Sequence, residues 1–149
     1  GATTILNPAP AKYVDYSMLK YVDYITPNQI ELEMLAQMPT DTEEKALAAA
    51  RHLQKVGVKN VIATLGNKGA LIVNDTVEEV VPEFLVNAVD TVAAGDSFNG
   101  ALAVKILENC EITEMVRFAN AEGALTVTKC GAIPSLHTRA EVEEFLVKA

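Results

Sequence analysis

The chain predicts an α/β sandwich, and three observations carry that reading. Short β-prone runs alternate along the sequence with segments whose apolar residues recur at helical spacing. The run Val61-Ile62-Ala63-Thr64 is apolar without alternation, the pattern of a strand buried on both faces of a parallel sheet. The helical segments are punctuated by Asn and Thr caps, capping-box pairs, Pro and Gly.

Taken in order, Thr3–Leu6 reads as a short strand, stopped by Asn7-Pro8 with Pro10 continuing the break. Tyr13–Tyr21 is weakly helical, and Tyr24-Ile25 is a second strand ended by Thr26-Pro27. Asn28 is a good N-cap for a helix to about Met38, with Ile30, Met34 and Leu35, or Leu32 and Leu35, as its apolar face. Thr40 and Glu43 stand at capping-box spacing for the next helix, where Ala46, Ala49, Ala50, Leu53 and Val56 make one apolar face and Gly57 is the stop. After the buried strand, Leu65–Gly69 is a glycine-bracketed turn at the strand's C-terminal end, where α/β sheets bind ligands. Ala70–Val73 and Val77–Val81 flank Asn74-Asp75 as a hairpin, and Pro82–Val86 is a further extended run. A helix from Gly95 to about Glu108 follows, then one capped by Thr113 and running to about Thr128, then the loop Gly131–Leu136. Thr138 and Glu141 form a capping box for a last helix, Arg139–Lys148. No repeat, linker or low-complexity tract interrupts this order, so residues 1–149 are expected to form a single domain.

Composition narrows the function. Half of the 149 residues are hydrophobic and 21% are charged, which is globular rather than disordered. The net charge of −8 argues against nucleic acid as a partner. An acidic protein that handles a nucleotide needs a divalent cation between itself and the phosphates. No apolar run approaches the roughly 20 residues of a membrane span, and no signal-peptide pattern opens the chain. Cys110 and Cys130 make no C-x-x-C and read as reduced thiols, which suits the cytoplasm. The chain starts Gly1-Ala2 without Met, compatible with an engineered or proteolytically cut start.

The chemistry concentrates in Asp90-Thr91-Val92-Ala93-Ala94-Gly95-Asp96-Ser97-Phe98-Asn99-Gly100-Ala101-Leu102. An acid is followed by three side chains too small to block a ligand, then by Asp96 at the start of a helix-compatible run. The first turn of a helix offers free N–H groups and the positive end of the dipole, which together accept an anion. Donors for a phosphate beside a carboxylate for an alcohol proton are the parts that phosphoryl transfer to a hydroxyl needs. The same residues also read as a tight helix–sheet approach with a capping Asp. Gly95 and Gly100 have P-loop spacing, but Ala101-Leu102 follows where Lys-Ser/Thr is needed, and no G-x-G-x-x-G is present.

Asp90–Leu102 closely resembles the C-terminal signature of the ribokinase-like (PfkB) sugar kinases. Ile5-Leu6-Asn7-Pro8-Ala9-Pro10-Ala11, Ile25-Thr26-Pro27-Asn28 and Gly131-Ala132-Ile133-Pro134-Ser135 resemble family segments in the same order. The resemblance runs from end to end of the chain but matches only the C-terminal half of such a kinase. It implies a three-layer Rossmann-like sandwich and ATP-dependent phosphorylation of a small sugar, D-ribose at its 5-hydroxyl. By that resemblance Asp96 is the catalytic base that touches the sugar hydroxyl, and Ala93, Ala94 and Gly95 are the anion hole. Asn28 and Glu31 match the N-x-x-E motif that holds Mg²⁺ or phosphate through water; the spacing alone reads as an N-cap and a first-turn Glu. Thr64-Leu65-Gly66-Asn67-Lys68-Gly69 resembles the nucleotide-binding turn, or is a plain turn. Asn120 falls at an adenosine-contacting position, or is a polar residue on a helix face. Asp90, Val92, Thr126, Lys129, Gly131 and Ser135 match positions around a monovalent-cation site, with K⁺ as the expected ion; otherwise Asp90 is a turn acid and Ser135 a solvated hydroxyl. Three departures stand out: Ala93 where Gly is common, Val92 where Thr is, and His137 where Pro is frequent. His137 reads as a surface residue, and no spacing suggests zinc.

The sugar-recognising residues and lid of the resembled family lie in its N-terminal half. A sheet cut there leaves an unpaired apolar edge. The expectation is little activity from this chain alone, and pairing through that edge with itself or with the complementary half. The alternatives are another sugar or nucleoside kinase of the family, and a non-catalytic nucleotide-binding or assembly module.

Overall fold

A computed structural model describes residues 1–149. Their contacts divide the chain into two compact units, Gly1–Val80 and Val81–Ala149, at a point where the sequence carries no linker.

The first unit is built on a mixed sheet. Its strands β1 (Ile5–Leu6), β2 (Tyr24–Ile25), β3 (Asn60–Thr64), β4 (Ala70–Val73) and β5 (Glu78–Val81) lie in sequence order across the sheet. β1, β2 and β3 pair in parallel, Ile5 opposite Tyr24 and Ile25 opposite Val61. β4 returns antiparallel along β3, Val61 opposite Val73 and Thr64 opposite Ala70. The parallel pairs need crossovers, supplied between β1 and β2 by two 3-10 segments (Ala11–Tyr13, Tyr16–Tyr21) and between β2 and β3 by helices α1 (Gln29–Ala36) and α2 (Glu43–Val56). The weakly helical Tyr13–Tyr21 stretch is therefore 3-10 rather than α. β4 and β5 form the expected hairpin: Asn74 Oδ1 accepts from the N–H groups of Thr76 at 2.8 Å and Val77 at 2.7 Å, closing the turn.

Helix faces follow from burial. Leu32 and Leu35 turn inward from α1, whereas Ile30 is 72% exposed and Met34 is also exposed, which decides between the two apolar faces the sequence allowed. They pack with Ala46, Ala49, Ala50 and Leu53 of α2 against Ile25, Val61, Ala63, Leu71 and Val73 of the sheet. Ile62 and Ile72, pointing to the opposite face, are just as buried. Each fully buried Leu, Ile or Val contributes about 1.5–3 kcal/mol relative to exposure.

The start of α2 departs from the expected pattern. Thr42, not Thr40, is the N-cap, its side chain accepting from Lys45 N–H at 3.2 Å. Thr40 is buried, and its hydroxyl lies 3.2 Å from Gln29 O and 3.1 Å from Glu33 Oε2, so α1 has already claimed it.

In the second unit the chain from Pro82 to Asp90 joins no strand, so the extended run expected at Pro82–Val86 is irregular. Helices α3 (Ala94–Leu107), α4 (Ile112–Thr126) and α5 (Arg139–Lys148) follow, with a 3-10 turn at Ile133–Ser135. α4 begins one residue before the expected cap: Glu111 is its N-cap and Thr113 lies inside the first turn. Leu102, Val116, Ala119 and Ala121 are fully buried where these helices pack. A Cβ on Gly123 would lie 3.9 Å from Ala94 O, ordinary contact, so the small residues of α4 fit a close approach by the start of α3. α5 opens with the predicted capping box between Thr138 and Glu141. No helix of the chain is long and apolar enough to cross a membrane.

Gly57 ends α2 at φ 134°, and a Cβ there would meet Lys20 Cα at 2.9 Å. Gly57→Ala should therefore destabilise the chain by about 1–3 kcal/mol, combining a disfavoured φ with a backbone clash. Urea unfolding followed by far-UV circular dichroism measures the loss.

Candidate active site

The first turn of α3 is entered through Ala93, which adopts φ 64° and ψ 4°. An alanine in this left-handed region is uncommon, and the conformation costs about 1–2 kcal/mol. The turn aims the chain into the helix with its N–H groups outward. Ala94 N–H reaches back to Thr91 O at 3.3 Å, and Ser97 N–H to Ala93 O at 2.8 Å. The N–H groups of Ala93, Gly95 and Asp96 have no acceptor within the chain. Of the three residues expected to form an anion hole, Ala94 is thus the one whose donor is engaged, and Asp96 supplies a donor the sequence reading did not assign.

The Asp96 carboxylate is exposed on this turn. Ser97 is buried, its hydroxyl donating to Ala94 O at 3.0 Å, and Asn99 Nδ2 donates to Gly95 O at 2.8 Å. Beside Asp96 opens a cavity of about 400 Å³, lined by Gly100 and Val104 of α3, Phe118 and Glu122 of α4, and Leu136 and His137.

Asp90 fixes the approach to this turn. Oδ1 accepts from Val92 N–H at 3.0 Å and Oδ2 from Gly131 N–H at 2.9 Å, and these two bonds hold its carboxyl below the usual carboxylate range. Val127 O accepts from the N–H groups of Val89 and Asp90 at 2.7 and 3.1 Å, and Lys129 N–H closes on Thr126 O at 3.2 Å. Ser135 is fully buried, its hydroxyl donating to Ala132 O at 2.6 Å, which overturns the reading of a solvated hydroxyl. The structure thus ties Asp90 and Val92 to Gly131, and Lys129 to Thr126. The side chains of Asp90, Thr126 and Ser135 and the loop carbonyls offer oxygen only. That donor chemistry suits a hard cation rather than a thiolate- or imidazole-binding metal.

Two buried groups here carry no motif. Glu122 Oε1 accepts from His137 N–H at 3.1 Å and from Thr126 Oγ1 at 3.4 Å. Burial pushes its carboxyl up. Its Oε2 and His137 Nδ1 have no partner and face each other at 3.9 Å, with side chains 7% and 5% exposed. His137 is therefore not the surface residue the sequence suggested. The break in apolar periodicity at Glu122, between Ala121 and Gly123, was the available signal for the carboxylate.

In the first unit, Thr64–Gly69 turns tightly at the end of β3: Leu65 N–H donates to Gly69 O at 2.7 Å and Gly69 N–H to Gly66 O at 3.0 Å. Gly66 and Gly69 sit at φ 61° and 103°, which explains both glycines. Leu65 is buried, while Asn67 and Lys68 face solvent. Thr64 N–H donates to Pro27 O at 2.9 Å and Thr64 pairs with Asn28, so the turn and the start of α1 share one end of the sheet. There Asn28 Oδ1 accepts from Glu31 N–H at 2.9 Å and Glu31 Oε2 from Asn28 N–H at 2.8 Å, a complete capping box. Glu31 keeps its other oxygen for a water. No group of three His, Cys, Asp or Glu side chains could cage a metal directly. Asn28 and Glu31 offer oxygen donors of the kind that Mg²⁺ and its waters take. Asn120 is 1% exposed, and its amide donates to Val81 O and Pro82 O at 3.1 Å each, anchoring the start of the second unit.

Comparison with known proteins follows the same lines. The profile of the pfkB family carbohydrate kinases matches residues 1–139. A ribokinase of Haemophilus influenzae is 40% identical over 149 residues, 100% of this chain and 49% of the relative. A deoxyribokinase of Salmonella typhi is 40% identical over 147 residues, 98% of this chain and 48% of its own. The structure of Arabidopsis thaliana ribokinase complexed with ribose and ATP superposes with a TM-score of 0.89 at 34% identity, over 98% of this chain and 48% of that one. The chain spans about half the length of the curated relatives it matches.

The two N–H groups on Asp90 set a pH dependence. A carboxyl with a lowered folded pKa contributes stability above its unfolded value of 3.8 and loses it as pH falls through the folded value. Asp90→Asn should lower the melting temperature at neutral pH, with the deficit shrinking as pH falls below that range. Melting curves of both proteins across acid pH check this.

Proposed function

This chain belongs to the pfkB family of carbohydrate kinases, and on that premise we propose that it supplies the nucleotide-binding and phosphoryl-transfer half of a ribokinase-type reaction. The observation that carries the reading is the first turn of α3, where N–H groups of Ala93, Gly95 and Asp96 without acceptors adjoin the Asp96 carboxylate. Those donors take the charge of the transferring phosphoryl group, and the small side chains leave it room. Asp96 accepts the proton of the sugar 5-hydroxyl as its oxygen bonds to the γ-phosphorus and the bond to ADP breaks.

ATP is the phosphoryl donor and D-ribose the acceptor. The Thr64–Gly69 turn receives the nucleotide through backbone and exposed side chains. Glu31 and Asn28 would hold Mg²⁺ through its waters, and Asp90, Thr126, Ser135 and the carbonyls around Val92, Lys129 and Gly131 would hold K⁺. When bound, these cations would supply positive charge against the phosphates and the loop carbonyls. Asn120 acts toward adenosine by holding Val81 and Pro82, since its amide donors are committed to their carbonyls. The thiols of Cys110 and Cys130 are free, in keeping with a cytoplasmic setting. β1, two residues long at the sheet edge, is where a second copy or a complementary half would pair.

One comparison favours a second acceptor. The Salmonella typhi deoxyribokinase is as similar to this chain as the Haemophilus influenzae ribokinase, so 2-deoxyribose belongs beside ribose in any assay.

The test is a coupled ADP-release assay with D-ribose, Mg·ATP and potassium, 2-deoxyribose in parallel and Asp96→Asn as comparison. In a complete enzyme, with the sugar-binding half present, the substitution should lower kcat by about 10²–10⁴-fold while Mg·ATP still binds. A loss below about tenfold removes Asp96 as the base.

A further inference from the structure

The loop from Gly131 to His137 is held at both ends by carboxylates on other segments. At its start Gly131 N–H donates to Asp90 Oδ2 at 2.9 Å, and at its end His137 N–H donates to Glu122 Oε1 at 3.1 Å. Between these stakes the backbone closes only on itself, Ser135 N–H to Ala132 O and Leu136 N–H to Ile133 O, both at 3.2 Å. Asp90 belongs to the segment that leads into the anion-hole turn. Glu122 lies three turns along α4, and no motif assigns it a role.

A carboxylate is costly to bury, and an apolar residue of similar size would fill the same space without that cost. Glu122 is nonetheless buried, and its Oε1 collects two donors from different parts of the cluster: the His137 backbone and the Thr126 hydroxyl, at 3.4 Å. One oxygen thus joins the C-terminal end of α4 to the end of the loop. The remaining oxygen faces the unpartnered His137 Nδ1 at 3.9 Å.

We propose that Glu122 is a positioning residue that sets the loop Gly131–Ser135 in the geometry that binds a monovalent cation. The inference rests on the reading of that loop as a K⁺ site and adds to it a residue outside the ligand set. Glu122 touches neither the substrate nor the ion; it acts through Thr126 and His137. Residues that orient ligands in this way typically carry about 10–100-fold in ion affinity.

The test is thermal unfolding of the 149-residue chain across a potassium chloride series, with ionic strength held constant by tetramethylammonium chloride. The parent chain should gain a potassium-specific rise in melting temperature. Glu122→Ala should move the potassium midpoint up by about tenfold or more. Glu122→Gln, whose amide oxygen still accepts from His137 N–H and the Thr126 hydroxyl, should restore the midpoint. Glu122→Leu, which fills the same space but offers no acceptor to His137 N–H or the Thr126 hydroxyl, should reproduce the shift and serves if Glu122→Ala does not fold. A drop in melting temperature that is equal at every potassium concentration, with the midpoint unmoved, makes Glu122 merely structural and overturns the proposal. A parent chain without any potassium-specific rise removes the cation-site reading itself, and the proposal with it.

Discussion

Ala93 holds a left-handed backbone conformation that alanine disfavours by about 1–2 kcal/mol, and the geometry of the second unit's site depends on it. With Ala93 in that conformation, the chain turns abruptly into α3, leaving N–H groups of the first turn pointing out and Asp96 beside them. Strain of this kind persists only where the surroundings over-determine it. Here they do: Asp90 grips Val92 and Gly131 on one side of the turn, and Ser97 is bonded through its N–H to Ala93 O and through its hydroxyl to Ala94 O on the other. The family's frequent glycine at this position has a physical reason, since glycine adopts a positive φ without the cost. Alanine in its place gives up some stability and restricts the turn's alternatives in the unfolded chain.

The site's electrostatics are local. The chain carries a net charge of −8, yet the first turn of α3 presents positive potential without a basic side chain, through its backbone N–H groups and the helix dipole. Carboxylates in each unit are occupied rather than idle. Asp90 accepts two N–H groups, and Glu31 is bound into the cap of α1. Both arrangements use acids to shape backbone.

Much of this was legible in the sequence because it was written in local chemistry. The Asn28–Glu31 and Thr138–Glu141 capping boxes, the buried β3 strand and the Asn74 turn each depend on residues within a few positions of one another. At Thr40 and His137 a partner elsewhere in the chain prevails over the local pattern. Thr40 has capping spacing, but Gln29 and Glu33 hold its hydroxyl, so Thr42 caps α2. Glu111 rather than Thr113 starts α4. Ser135 and His137 sit in a polar stretch that reads as surface, and only folding places Ser135 in the interior and His137 against Glu122. The resemblance named candidate residues, but it could not say which donors would be free. Asn120 and Ala94 turn out to be engaged within the chain, whereas the Asp96 N–H has no acceptor in it.

The most direct measurement is an amide NMR titration of the isotopically labelled chain with Mg·ATP. If the first turn of α3 is the phosphate-accepting element, the Gly95 and Asp96 N–H resonances shift strongly with nucleotide, together with those of the Gly66–Gly69 turn. Saturating nucleotide that moves the Gly66–Gly69 resonances and leaves Gly95 and Asp96 in place would contradict the account.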